Sequence, residues 1–202
     1  RALGHRFATA TDTEVVLHAY EEWGRDCLHR FNGMWAFAIW DNRRRELFCA
    51  RDRLGVKPLY YTLAGGSFLF ASEIKALLAH PAVGRKPNDR MLATFLAWGV
   101  ADHTGETMYD GIFQLPPAHS IVVSVEGAGE PERYWDLVMN AAPGGADDDA
   151  AAGRVRDLLT DAVRLRLRSD VPVGTCLSGG IDSSTVTFLI NDLLRAERPE
   201  SV

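Results

Sequence analysis

The chain has 202 residues, 47% of them hydrophobic and 24% charged, with 22 Lys and Arg against 27 Asp and Glu and a formal net charge of -5. That balance fits one or two globular domains and supplies no basic footprint for a nucleic-acid backbone or an anionic membrane, so small metabolites are the expected partners. No apolar stretch approaches the roughly 18 residues of a membrane span, and nothing at the start reads as a signal peptide. Cys27, Cys49 and Cys176 are odd in number and widely spaced, against a disulfide framework or zinc site and in favour of a reducing, cytoplasmic setting. Cys49 and Cys176 sit in apolar runs and are expected to be packed thiols. His5, His18, His29, His80, His103 and His119 show no metal spacing. The chain opens on Arg1 rather than Met.

The first predicted element is a helix over "TDTEVVLHAYEEW", Thr11 to Trp23, with Val16, Tyr20 and Trp23 on one face, Thr11 and Glu14 at capping-box spacing and Gly24 just past the end. "MWAFAIW", Met34 to Trp40, and "LFCA", Leu47 to Ala50, flank the turn "DNRRR" and are apolar at successive positions, which predicts a hairpin in a sheet buried on both faces. A second hairpin is expected from Pro58 to Ala71, helices over Glu73 to Ala79 and Asp89 to Trp98, then strands in "SIVVSV" and "RYW" around the turn "EGAGE". "NAAPGGADDDA", Asn140 to Ala150, has linker composition and puts a domain boundary near residue 145. Beyond it, Val155, Leu158, Leu159, Ala162, Val163 and Leu165 recur at helical spacing, so a helix is expected from about Asp149 to Arg168, leading into a strand from Val171 to Leu177.

That strand runs into "SGGIDSS" and then a helix from about Asp182 with Val186, Leu189, Ile190 and Leu193 on its apolar face. Glycines let backbone N–H groups approach an anion, a helix N-terminus adds unpaired donors and partial positive charge, and the hydroxyls of Ser178, Ser183 and Ser184 supply further donors. The loop is therefore a candidate phosphate cradle, though not of the Walker type, since no Lys follows the glycines. By spacing alone a tight turn, with Gly179 and Gly180 permitting the bend and Asp182 or Ser183 capping the helix, explains it equally well.

Ser-Gly-Gly-x-Asp-Ser resembles the pyrophosphate loop of the ATP pyrophosphatase family. Together with "TDTEVVLHAYEEWG", "FNGMWAFAIWD", "ARDRLGVKPLYY" and "ASEIKALLAH", it resembles glutamine-hydrolysing asparagine synthetases over nearly the whole chain. The resemblance implies an α+β fold, stacked antiparallel sheets flanked by helices, as the C-terminal part of a type 2 glutamine amidotransferase domain over residues 1–144. It also implies the start of an α/β parallel-sheet domain carrying the pyrophosphate loop over residues 145–202. It assigns Asp12 to the glutamine α-amino group, where a helix N-cap role is also open, and Leu177, Ser178, Gly179, Gly180, Asp182 and Ser183 to ATP. For Asp182 two roles stay open: a neighbour of magnesium, or a cap on the loop's own amides. Glutamine, aspartate and ATP are the implied ligands, magnesium the expected companion of ATP, and a homodimer a candidate assembly.

The family's nucleophilic cysteine stands at its mature N-terminus, whereas Arg1 stands here, so the chain is expected to be a fragment that is inactive alone, with no catalytic residue of its own. The resemblance makes "RDRLGVKP" a structural turn near the domain interface, and Arg51, Arg53 and Lys57 at a hairpin end are expected to be a solvated or salt-bridged surface rather than catalytic. Two other functions remain open: a synthetase acting on another carboxylate, and a non-catalytic remnant.

Overall fold

The computed structural model describes residues 3–138 and 147–197. The chain divides into two compact units, Arg1–Val138 and Met139–Val202. Most of the linker expected over 140–150 lies outside the described residues.

In the first unit, helix α1 (Asp12–Trp23) ends at Gly24, whose φ of 57° is the glycine conformation anticipated there, and continues into a 3-10 helix, Gly24–Arg30. Strands β1 (Ala36–Asp41) and β2 (Glu46–Arg51) form the predicted hairpin, paired antiparallel from Ala36↔Arg51 to Asp41↔Glu46. Strands β3 (Tyr60–Ala64) and β4 (Ser67–Ala71) form the second. A short helix α2 (Ile74–Leu77), helix α3 (Asp89–Trp98), and strands β5 (Ile112–Gln114), β6 (His119–Ser124), β7 (Gly127–Ala128) and β8 (Glu132–Arg133) complete the unit. One antiparallel sheet runs β1-β2-β6-β7 with β8 also on β6; the other runs β4-β3-β5.

The period of two explains why β1 and β2 are apolar throughout. Phe37, Ile39, Phe48 and Ala50 turn to one face and meet Ala19 and Tyr20 of α1 and Cys27 and Leu28 of the 3-10 helix. Their neighbours Ala36, Ala38, Leu47 and Cys49 turn to the other face and meet Tyr61 and Phe68 from the second sheet and Leu59 just before it. The far face of that second sheet packs Tyr60, Leu69 and Ile112 under Leu77 and Val83. The layers are thus helix, sheet, sheet, helix, as the doubly apolar strands predict. The helix expected over Glu73 to Ala79 contracts to the four residues of α2, and β5 was not foreseen.

In the second unit α4 (Asp148–Arg166) is capped by the Asp147 carboxylate, which accepts from the Asp149 N–H at 3.1 Å. It touches α5 (Ile181–Glu197), and Val163 and Leu189 are buried. Val186, Ile190 and Leu193 are half-buried as expected, whereas Val155 and Leu158 of the predicted α4 face are exposed. The predicted strand from Val171 to Leu177 does not form. Its N–H and C=O groups need a neighbouring strand, and among the described residues none pairs with it. Residues 169–182 are exposed, Cys176 included, which corrects the expectation of a packed thiol.

Candidate functional sites

Asp12 opens α1 and lines a cleft of about 480 Å³ walled by Thr13, Val16 and Leu17 from α1, Met34 and Trp35 before β1 and Ala36 to Ile39 on it, and Lys57, Pro58 and Ser72. Its carboxylate is exposed and has no hydrogen bond or ion pair among the described residues. The N-cap position belongs to Thr11, so the capping role left open for Asp12 is not the one it takes. Nor does Thr11 make the expected capping bond. Glu14 reaches further back instead: its carboxylate accepts from the N–H groups of Ala8 and Thr9, both at 2.7 Å, and from the Thr9 hydroxyl at 2.6 Å. These donors, the Thr9 hydroxyl first, hold the Glu14 carboxyl down at about 2. The turn they tie over residues 8–11 fixes where α1 starts and therefore where Asp12 sits.

Another wall of the cleft is set by "RDRLGVKP". Asp52 is 1% exposed and accepts four backbone N–H groups, from Leu54 (3.1 Å) and Val56 (3.0 Å) on Oδ1 and from Trp35 (3.2 Å) and Lys57 (2.9 Å) on Oδ2. Arg51, 6% exposed, donates from Nε to the Lys57 carbonyl (2.7 Å), from Nη1 to Leu115 (2.7 Å) and from Nη2 to Gly55 (2.6 Å). Gly55 is required at φ 65°, where a Cβ would come within 2.7 Å of the Pro117 ring. The segment is therefore not the solvated surface expected at Arg51. It is a buried knot that pins the Lys57 backbone on both sides while the Lys57 side chain lines the cleft. Repeated carbonyl capture by a guanidinium leaves no signal in spacing, which is why sequence reasoning missed it. Carboxylate and ammonium on one cleft form the charge pair complementary to a free α-amino acid.

Among the described residues no thiol lines this cleft. Cys27 and Cys49 are fully buried, and desolvation pushes them up to about 11 and about 12, so neither is poised as a nucleophile.

The loop after residue 177 lies in the second unit. Gly179 has φ 83° and Gly180 precedes the first residue of α5. The structure brings Ser178 and Ser183 together: their hydroxyls are 2.9 Å apart, the Ser178 N–H donates to Ser183 Oγ at 3.3 Å, and Ser183 Oγ donates to the Gly180 carbonyl at 3.2 Å. A Cβ on Gly179 would meet nothing within 4 Å, so its glycine is dictated by φ rather than crowding. Leu177 and Asp182 are exposed at the mouth of this turn. The result is a helix N-terminus with hydroxyls gathered beside it, a geometry able to take an anion.

Histidine spacing gave no metal pattern, yet folding brings ligand atoms of His5, His18 and Glu21 within 4.8 Å of one another. Among the described residues no helix is long and apolar enough to cross a membrane.

Comparison with known proteins adds the family. Glutamine amidotransferase domains match residues 1–135, and asparagine synthase matches residues 154–199. The chain is 47% identical over 189 residues to asparagine synthetase [glutamine-hydrolyzing] 3 of Bacillus subtilis, covering 94% of this chain and 30% of that protein. It is 37% identical over 194 residues to amidase chry2 of Gibberella zeae, covering 94% of this chain and 28% of that protein. Among solved structures it is similar to the glutamine phosphoribosylpyrophosphate amidotransferase from B. subtilis complexed with ADP and GMP, with a TM-score of 0.45, 19% identity and coverage of 95% of this chain and 39% of that one. It thus spans under a third of the length of these curated relatives. With two thirds of its residues matched by one family, the chain belongs to the glutamine amidotransferase domains.

Proposed function

We infer that the chain is the junction of a glutamine-hydrolysing asparagine synthetase, with the glutaminase part before residue 145 and the start of the synthetase part after it. One observation carries this reading: a glutamine amidotransferase match is followed, in the same chain, by an asparagine synthase match. In the first station Asp12 holds the α-ammonium of glutamine through a charge-assisted hydrogen bond. In the second, the backbone N–H groups around Leu177 to Gly180 and the hydroxyls of Ser178 and Ser183 hold the pyrophosphate portion of ATP. Asp182 is the one carboxylate in that loop. A single carboxylate fits a magnesium ion that takes its remaining ligands from substrate phosphates and water, and the ion would neutralise charge on the departing pyrophosphate.

The reaction this serves has two steps. A side-chain carboxylate oxygen of aspartate attacks the α-phosphorus of ATP and pyrophosphate leaves; ammonia from glutamine then adds to the acyl carbon and AMP leaves with the C–O bond electrons. The proposal includes a cytoplasmic setting and assembly as a homodimer. A second reading, the same chemistry on another carboxylate, is kept because a relative 37% identical to this chain, amidase chry2, is not named as an asparagine synthetase.

The test uses the full-length protein that carries this segment. Asp182→Ala is expected to abolish ATP-dependent pyrophosphate release and leave glutamine hydrolysis intact. Asp12→Ala is expected to lower kcat/KM for glutamine by roughly 10- to 100-fold, the loss of one charged hydrogen bond, and to leave synthesis from free ammonia unchanged. Equal loss of both activities in either variant would count against two separate stations. Pyrophosphate release stimulated by a carboxylate other than aspartate would select the second reading.

A further inference from the structure

We propose that His5, His18 and Glu21 form a binding site for a divalent transition metal of the zinc class, fastening the segment before α1 onto that helix. The site is separate from the cleft that Asp12 lines, since none of its three ligands walls that cleft. Twelve residues lie between the two histidines, and His18 and Glu21 stand one turn apart on α1.

The directions of the ring nitrogens carry the argument. His5 Nε2 lies 3.1 Å from Glu22 Oε2, and His18 Nε2 lies 3.2 Å from the Arg6 carbonyl. An acceptor on the outer side of each imidazole can take a hydrogen on Nε2, which frees Nδ1 to ligate a metal in place of a proton. Both Nδ1 atoms turn toward one oxygen, Glu21 Oε2, at 3.9 Å from His5 and 2.9 Å from His18. Ligand atoms around a tetrahedral zinc lie roughly 3.3 Å apart, so the two separations from Glu21 bracket the expected edge, and the third, between the histidines, closes from within 4.8 Å. The outer partners, a carboxylate on one histidine and a backbone carbonyl on the other, are the two kinds that orient metal-bound histidines.

The surroundings suit an exchangeable ion. The two imidazoles are 22% and 23% exposed, with their ring centroids 4.7 Å apart and Phe7 edge-on to His18, while Glu21 is 65% exposed and leaves a path from solvent. Three protein ligands leave a fourth position for water. Without metal, a proton on His18 Nδ1 satisfies Glu21 across the 2.9 Å contact. Metal binding therefore displaces a proton.

The test is isothermal titration of the purified protein with Zn2+, and with Co2+ as an absorbing probe of coordination number. One Zn2+ per chain is expected, with visible Co2+ absorption of a four- or five-coordinate ion. His5→Gln, His18→Gln and Glu21→Gln should each weaken Zn2+ binding at least tenfold. His80→Gln, a surface histidine outside the cluster, should change nothing. Glu21→Gln guards against misfolding, because the side chain is mostly exposed and far-UV circular dichroism reports whether the helix persists. Absence of Zn2+ binding, or Zn2+ affinity unchanged in well-folded Glu21→Gln and His5→Gln, would overturn the site.

Discussion

Replacing Asp52 tests whether the knot at "RDRLGVKP" holds the cleft wall as argued. Asp52→Ala removes the acceptor for four N–H groups, each worth about 1.5–3 kcal/mol when the acceptor is charged. Leu54, Val56 and Lys57 are exposed, so water recovers much of what their amides lose; the Trp35 amide is less accessible. Counting one full loss and three discounted ones gives about 4 kcal/mol. Asp52→Asn separates hydrogen bonding from volume. It is nearly isosteric, and its carbonyl still serves two amides, but its NH2 then faces two other N–H donors, so the expected cost is about 3 kcal/mol. All five tryptophans, at 23, 35, 40, 98 and 135, lie in the first unit, so fluorescence-monitored urea unfolding reads that unit alone. A loss below about 1 kcal/mol for Asp52→Asn, at unchanged slope, would show that the carboxylate is not what organises the segment.

Two further predictions concern titration. Glu14 has its folded carboxyl depressed to about 2 from the ordinary 4.5, so its contribution to stability is fully present above 4.5 and is lost as pH falls toward 2; Glu14→Gln should flatten the acid limb of a stability profile of the first unit between those values. An unaltered limb would mean that the turn over residues 8–11 is held otherwise. For thiols, a neutral-pH reagent should label Cys176 first and alone in the folded protein, since Cys27 and Cys49 are fully buried and pushed up to about 11 and about 12. Peptide mapping that finds Cys27 or Cys49 modified at the same rate would refute the buried placement.

What was legible in the sequence follows the range of the forces involved. The β1-β2 hairpin could be read because seven successive apolar residues, Met34 to Trp40, can be buried in an extended chain only between two layers, and the core clusters on the two sides of Phe48 and Cys49 are those layers. The start of α1 was read correctly, but its cap was not. Thr11 and Glu14 have capping-box spacing, yet a carboxylate that can reach three donors at residues 8 and 9 gains more than from one amide at the N-cap. The bond from Arg51 to Leu115 spans 64 residues and His5 meets Glu21 across 16, so neither leaves a periodic trace. The strand from Val171 to Leu177 failed for the opposite reason. Local propensity favoured a strand, but a strand exists only with a partner.

The same contrast decides how the two candidate sites are prepared. Asp12 is held by bonds made elsewhere, through Glu14, so its own carboxylate stays free to meet a ligand. The loop is different: Ser178 and Ser183 use their hydroxyls on one another and on the Gly180 carbonyl, so a phosphate has to displace internal bonds. That exchange is favourable on hydrogen-bond strength, because a donor moves from a neutral oxygen to a charged one and charge-assisted bonds are roughly twice as strong. The internal bonds then act as placeholders that keep the donors gathered at the start of α5. Ser183→Ala removes the hydroxyl that accepts from the Ser178 N–H and closes on Gly180, so it disorganises the loop as well as deleting a proposed phosphate ligand, whereas Ser184→Ala leaves that closed set intact.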